Sequence, residues 1–215
     1  MSFQFYTSRR LVELTGRKAR TLPQLIEHLR QVSGSCVFYH THQRYLTHHF
    51  REPDFYNDFA EWCARSLQEP AVAEKLAAVD LLDFTSLKDL RAALVASVES
   101  APELRSAQPR VCPPGDEFHF CKVRSFIIPT GMKANNLEEF AGHLAHCTNS
   151  SILFHLFEAR LRLEKRTNDF SLWLRDHGEP KLAEEVDRLD PYVMSLDDLR
   201  NEIRGLCRRR LAEQS

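Results

Sequence analysis

A chain of 215 residues, 43% hydrophobic and 27% charged, has room for one large or two small globular domains and is far from a disordered composition. Its formal net charge of -1 supplies no global positive field for nucleic acid or anionic lipid, so neither is expected as a partner. The six cysteines (36, 63, 112, 121, 147 and 207) form no Cys-x-x-Cys pair, which argues against a zinc knuckle. Reduced thiols, no charged-then-apolar leader at Met1–Tyr6 and no apolar run long enough to span a bilayer together predict a cytoplasmic protein.

Taken in chain order, the opening Phe3-Gln4-Phe5 belongs to a segment read as short strands. Thr21 then caps a helix, with Pro23 in its first turn and Gln24 in the capping-box position. Leu22, Leu25, Ile26, Leu29 and Val32 recur at helical spacing until Ser33-Gly34 interrupts them. A second helix starts at Ser35 and carries Val37, Phe38 and His40. Asn57 caps a third, with Asp58 facing its positive end and an apolar stripe of Phe59, Trp62 and Cys63. A short helix covers Val72–Val79, and a last one opens on Ser86-x-x-Asp89 and buries Leu87, Leu90, Leu94 and Val98.

The same order then starts again. Phe3-Gln4-Phe5 reappears as Phe118-His119-Phe120, and Arg9, Thr15-Gly16, Lys18-Ala19 and Leu22 meet Arg124, Thr130-Gly131, Lys133-Ala134 and Leu137. His28-Leu29, Ser35 and His40 meet His143-Leu144, Ser150 and His155. After a short gap, Asn57-Asp58-Phe59 and Trp62 match Asn168-Asp169-Phe170 and Trp173. Ser86-Leu87-x-Asp89-Leu90-Arg91 matches Ser195-Leu196-x-Asp198-Leu199-Arg200. So many ordered identities predict a tandem duplication of a helical module of roughly 100 residues, mainly α with minor β, its halves related by a pseudo-twofold axis. The boundaries read as a first repeat over 1–99, a Pro-rich linker over 100–117 and a second repeat over 118–215. In the second copy Phe118–Val123 alternates, and Phe126-Ile127-Ile128 is a β-like run ended by Pro129.

These blocks carry a resemblance. Phe38-Tyr39-His40-Thr41-His42, Asn57-Asp58-Phe59-x-x-Trp62, Phe154-His155-x-Phe157-Glu158-Ala159-Arg160-Leu161-Arg162 and Asn168-Asp169-Phe170-x-x-Trp173-Leu174 resemble an uncharacterised bacterial and archaeal domain-of-unknown-function family over nearly the whole chain. The resemblance implies no activity.

Two residue groups could carry chemistry. His40 and His155, with His28, His143 and His42, offer imidazoles to a metal in a bundle centre. His48 and His49 add to the first copy, where the second has Leu163 and Glu164. The ordinary alternative is half-buried histidines, each donating to a carbonyl or holding a helix contact. Arg9 and Lys18, echoed by Arg124 and Lys133 beside Thr-Gly pairs, could hold a phosphate or carboxylate such as a sugar phosphate. The ordinary alternative there is a helix C-cap at Gly16 among solvated cations. Asp58 and Asp169 read as helix-start residues and Trp62 and Trp173 as core anchors. No nucleophile-elbow, zincin or dinucleotide fingerprint occurs. The function expected is a non-catalytic interaction or regulatory protein with a protein partner or homo-oligomer; the alternatives are a metal- or cofactor-binding protein or a binder of phosphorylated small molecules.

Overall fold

The computed structural model of the chain describes residues 1–44, 54–190 and 194–214. It is mainly helical with one two-stranded sheet. The elements are β1 (Phe3–Ala19), α1 (Leu22–Gln31), α2 (Gly34–Phe38), α3 (Asp58–Arg65), α4 (Pro70–Ala77), α5 (Leu87–Glu99), β2 (Phe118–Ala134), α6 (Leu137–Leu144), α7 (Asn149–Leu153), α8 (Ala159–Leu163), α9 (Asp169–Asp176), α10 (Pro180–Asp187) and α11 (Leu196–Gln214). His48 and His49 lie outside the described residues.

The helix starts are where the capping residues put them. Thr21 accepts the Gln24 N–H, and the Gln24 side chain reaches back to the Arg20 N–H at 2.8 Å. Asn57 and Asn168 accept the N–H groups of Ala60 and Ser171 at 2.8 and 2.9 Å. Ser86 caps α5, whose buried face is Leu90, Leu94 and Val98, while Leu87 is half-buried against Gly34.

The strands differ from the expectation of short pieces. β1 and β2 each run 17 residues. Phe5 lies beside Thr130 and Thr15 beside Phe120, so the strands are antiparallel. Pro129 does not end β2: in a two-stranded sheet each strand has an outer side, where a missing N–H is tolerated. Gly16 is not a helix cap either. It sits inside β1 at φ +78°, and Gly131 sits inside β2 at φ +82°, a backbone region that favours glycine. The threonine before each glycine holds the kink. Thr15 Oγ1 accepts the Arg17 N–H at 3.2 Å and donates to Phe120 O at 2.7 Å. Thr130 Oγ1 accepts the Met132 N–H at 3.3 Å and donates to Phe5 O at 2.9 Å.

The chain divides into two compact units, Met1–Arg9 with Ser125–Ser215, and Arg10–Arg124. The sequence segments 1–99 and 118–215 therefore each contribute to both. In the Arg10–Arg124 unit, Phe118 and Phe120 from β2 enter a core of Leu25, Leu29, Phe59, Leu76, Leu90 and Leu94. Phe118 stacks on Phe59 at 5.1 Å and meets Trp62 edge-on at 5.7 Å. In the other unit, Phe3 and Phe5 from β1 join Phe140, Leu144, Ile152, Phe170 and Leu199. There Phe3 lies 5.5 Å from Phe170 and 5.9 Å from Trp173. Both indoles are anchored: Trp62 Nε1 donates to Asp116 O at 2.7 Å and Trp173 Nε1 to Met1 O at 3.0 Å.

Candidate functional site

Each unit buries a histidine at the same position of a π-helical turn. His40 lies on Tyr39–Gln43 after α2, and His155 on Phe154–Glu158 after α7. Such widened turns are rare and frequent at functional positions. The two imidazoles are 3% and 2% exposed, so every polar atom on them needs a partner.

His40 Nδ1 is 2.7 Å from Asp58 Oδ2, and its Nε2 accepts the Cys121 N–H at 2.9 Å. His155 Nδ1 is 2.8 Å from Asp169 Oδ2, and its Nε2 accepts the Tyr6 N–H at 2.8 Å. A backbone N–H can only donate, so Nε2 must carry the lone pair. The ring proton is then on Nδ1, pointing at the carboxylate. Both rings are neutral in this arrangement, and both nitrogens of each are used. For His155 burial pushes the pKa down, opposed by the bond to Asp169.

The carboxylates extend the pattern. Asp58 Oδ1 takes Arg44 Nη1 at 2.6 Å, and Arg44 also pairs with Glu61. Asp169 takes Arg162. Asp58 and Asp169 are the helix-start residues expected of them, and beyond that each fixes a histidine tautomer. Helix pattern did not point to Arg44 or Arg162 as partners. Their signal was position alone: Arg44 follows His40 by one helical turn, and Arg162 follows His155 by two. The strand residues Cys121 and Tyr6 act through the backbone, which leaves no trace in side-chain chemistry.

The remaining histidines go elsewhere. His28 Nδ1 lies 3.4 Å from Arg17 Nη1, with its ring edge-on to Phe120. His143 Nε2 donates to Lys133 O at 2.9 Å. His42 is buried and stacked on Phe38 at 5.5 Å. The Thr41 hydroxyl donates to Val37 O, so its oxygen accepts the His42 Nδ1–H at 3.1 Å. Burial pushes the His42 pKa down to about 4. His40, His28 and His42 belong to the Arg10–Arg124 unit, and His155 and His143 to the other. Among the described residues no three His, Cys, Asp or Glu side chains are grouped to hold a metal ion.

Of the cations read as an anion site, Arg9, Lys18 and Lys133 are exposed, and Arg124 pairs with Glu13 at 3.3 Å. Lys18 and Arg124 lie in one unit and Arg9 and Lys133 in the other. The six cysteines are free thiols. Burial pushes Cys36, Cys63 and Cys207 up to about 12, and Cys121 is raised by burial and by the Asp58 charge. None has the lowered pKa of a nucleophile among those four. No helix among the described residues is long and apolar enough to cross a membrane.

A sequence model for a family of unknown function, DUF5752, matches residues 1–208. The chain belongs to that family. Its fold is similar to that in the structure of OrfY from Thermoproteus tenax, with 28% identity, a TM-score of 0.82, and coverage of 97% of this chain and 95% of that one. No curated protein matches. Neither likeness brings a reaction, so any functional reading rests on the residues themselves.

Proposed function

We propose that the chain is a non-catalytic cytoplasmic association protein, built by tandem duplication of a helical module, whose exposed strand segments engage a protein partner. The observation that carries this reading is an apolar surface on both strands. Leu11, Val12 and Leu14 in one unit, and Phe126, Ile127 and Ile128 in the other, are between 42 and 72% exposed. Leu11 and Val12 occupy the same repeat positions as Phe126 and Ile127. Clustered large apolar side chains left in water mark interaction sites more often than single ones do.

The buried sites support the non-catalytic half of the proposal. A general base or a metal ligand needs a free nitrogen lone pair, and those of His40 and His155 already accept backbone N–H groups. The paired geometry of the two histidines and of the two Thr-Gly kinks supports the duplication. Six free thiols suit a reducing compartment.

A photo-crosslinking residue placed in cells at Leu14, and separately at Ile127, tests the reading. Discrete crosslinked protein species are expected at both positions and not at Arg188, an exposed helix-end position. Crosslinking no greater than at Arg188, or stoichiometric metal in the purified protein, would overturn it.

A further inference from the structure

The strand surface of the Arg10–Arg124 unit has a charge that narrows the choice of partner. Within it, β1 and β2 carry five cations (Arg10, Arg17, Lys18, Lys122 and Arg124) against the strand acid Glu13, with Glu117 just before β2 close to Lys18, in a chain whose net charge is -1. Within this unit Glu13 is shared by Lys122 at 3.1 Å and Arg124 at 3.3 Å. Arg17 bonds only neutral groups, Gln31 at 2.7 Å and His28 at 3.4 Å. Positive charge is therefore in excess beside Leu11, Val12 and Leu14. The sheet has two strands, so β1 also keeps an edge whose backbone groups do not face β2, whereas β2 is held at Cys121, whose N–H goes to His40.

Building on the association reading above, we infer that the outer edge of β1 in the Arg10–Arg124 unit takes an acidic extended segment of another protein as an added strand. Backbone bonds would supply affinity, Leu11, Val12 and Leu14 would receive alternate apolar side chains, and Lys18 and Arg124 would meet the carboxylates. A second copy of the chain fits badly. It would bring the same cations edge to edge, and the one strand carboxylate is already engaged. Nucleic acid fits badly too, because Glu13 stands among the cations and the large apolar side chains exposed on β1 there, Leu11, Val12 and Leu14, are aliphatic.

The test is fluorescence anisotropy on the full chain with a labelled synthetic peptide that alternates Glu with Val. Controls are the same peptide with Lys for Glu, an N-methylated acidic version, and a labelled DNA duplex. The acidic peptide should bind at least about tenfold tighter than the other three, and added salt should weaken it. A Lys18→Glu/Arg124→Glu variant should lose about tenfold or more in affinity; if it melts early, Lys18→Gln/Arg124→Gln should lose part of that. Equal binding of the acidic and basic peptides, undiminished binding of the N-methylated one, tighter binding of DNA, or no binding at all would overturn the inference. Crosslinking at Leu14 together with failure here would leave the association reading standing and discard the acidic strand.

Discussion

The His40 and His155 sites share a skeleton and differ in what surrounds it. Each is a buried imidazole on a π-helical turn, oriented by an aspartate that starts the helix after an asparagine cap, and each accepts one strand N–H. Around His155 the strand is gripped twice: Tyr6 gives its N–H to the ring, and Tyr6 O accepts the Ser151 hydroxyl. Around His40 the strand residue is Cys121, and a thiol, Cys36, stands at the repeat position of Ser151. Thr41 and His42 on the first turn become Leu156 and Phe157 on the second. What both settings keep is the aspartate and the bond from histidine to strand backbone. Under the proposed reading the ring has a holding task, since its lone pair is already taken by a strand N–H.

The sharpest way to break the comparison is to remove the rings. His40→Ala and His155→Ala should each cost about 3–5 kcal/mol, because each opens a cavity, leaves a strand N–H without its acceptor and takes one partner from a half-buried carboxylate. Denaturant unfolding followed separately by Trp62 and Trp173 fluorescence, each read in a variant with the other tryptophan replaced by Phe, would assign the loss to its own unit. A loss below about 1 kcal/mol at either site would mean that the bonds there are replaceable by water, and the holding role would fail.

Only part of this was legible in the sequence. The caps at Thr21, Asn57 and Ser86 announce their helices because the capping chemistry is local. The ordered identities of the two halves pair His40 with His155 in the sequence itself. The strands were under-read for a physical reason: their middle stretches are exposed, so burial imposes no alternation on Leu11–Leu14 or Phe126–Ile128. Pro129 and Gly16 then look like breaks, although an edge strand accommodates both. The partners of the histidines were hidden for another reason. Asp58 follows His40 by 18 residues and Asp169 follows His155 by 14, and only the packing of α3 and α9 brings them together. Grouping the histidines as ligands therefore matched residue type to chemistry without the spacing that would have paired each with an acid.

Acid should separate the two units next. His42 has its pKa pushed from 6.5 down to about 4 by burial, and its counterpart Phe157 cannot titrate. As pH falls past 6.5 the unfolded chain takes up the proton first, so the stability tied to neutral His42 is complete above that value. It drains away as pH falls toward 4, amounting to about 3 kcal/mol in all. His155, whose pKa is also lowered, adds acid sensitivity of the same sign in its own unit. His42→Phe, which places there the residue found at 157, should remove most of the acid limb of the Arg10–Arg124 unit while leaving that of the other. Denaturant midpoints at pH 7, 5 and 4 would read it, and an unchanged acid limb would assign the sensitivity elsewhere.

The smallest effect distinguishes the strands from the helices. At Gly16 and Gly131 an added Cβ would meet no atom within 4 Å, so an alanine suffers no clash and only the cost of its positive φ. Gly16→Ala and Gly131→Ala should each destabilise by about 1 kcal/mol, with the two losses nearly equal because the φ angles, +78° and +82°, are nearly equal. Thr15→Val and Thr130→Val should do comparable harm by freeing the hydroxyl bonds to Phe120 O and Phe5 O. If the alanine variants cost nothing, the strands pass those points without the kink, and the residues beyond it, Lys18 and Lys133 included, would no longer project as described. Equal losses at both positions would instead mean that the two units depend on the same local device, which is what copying one module predicts and independent origin does not.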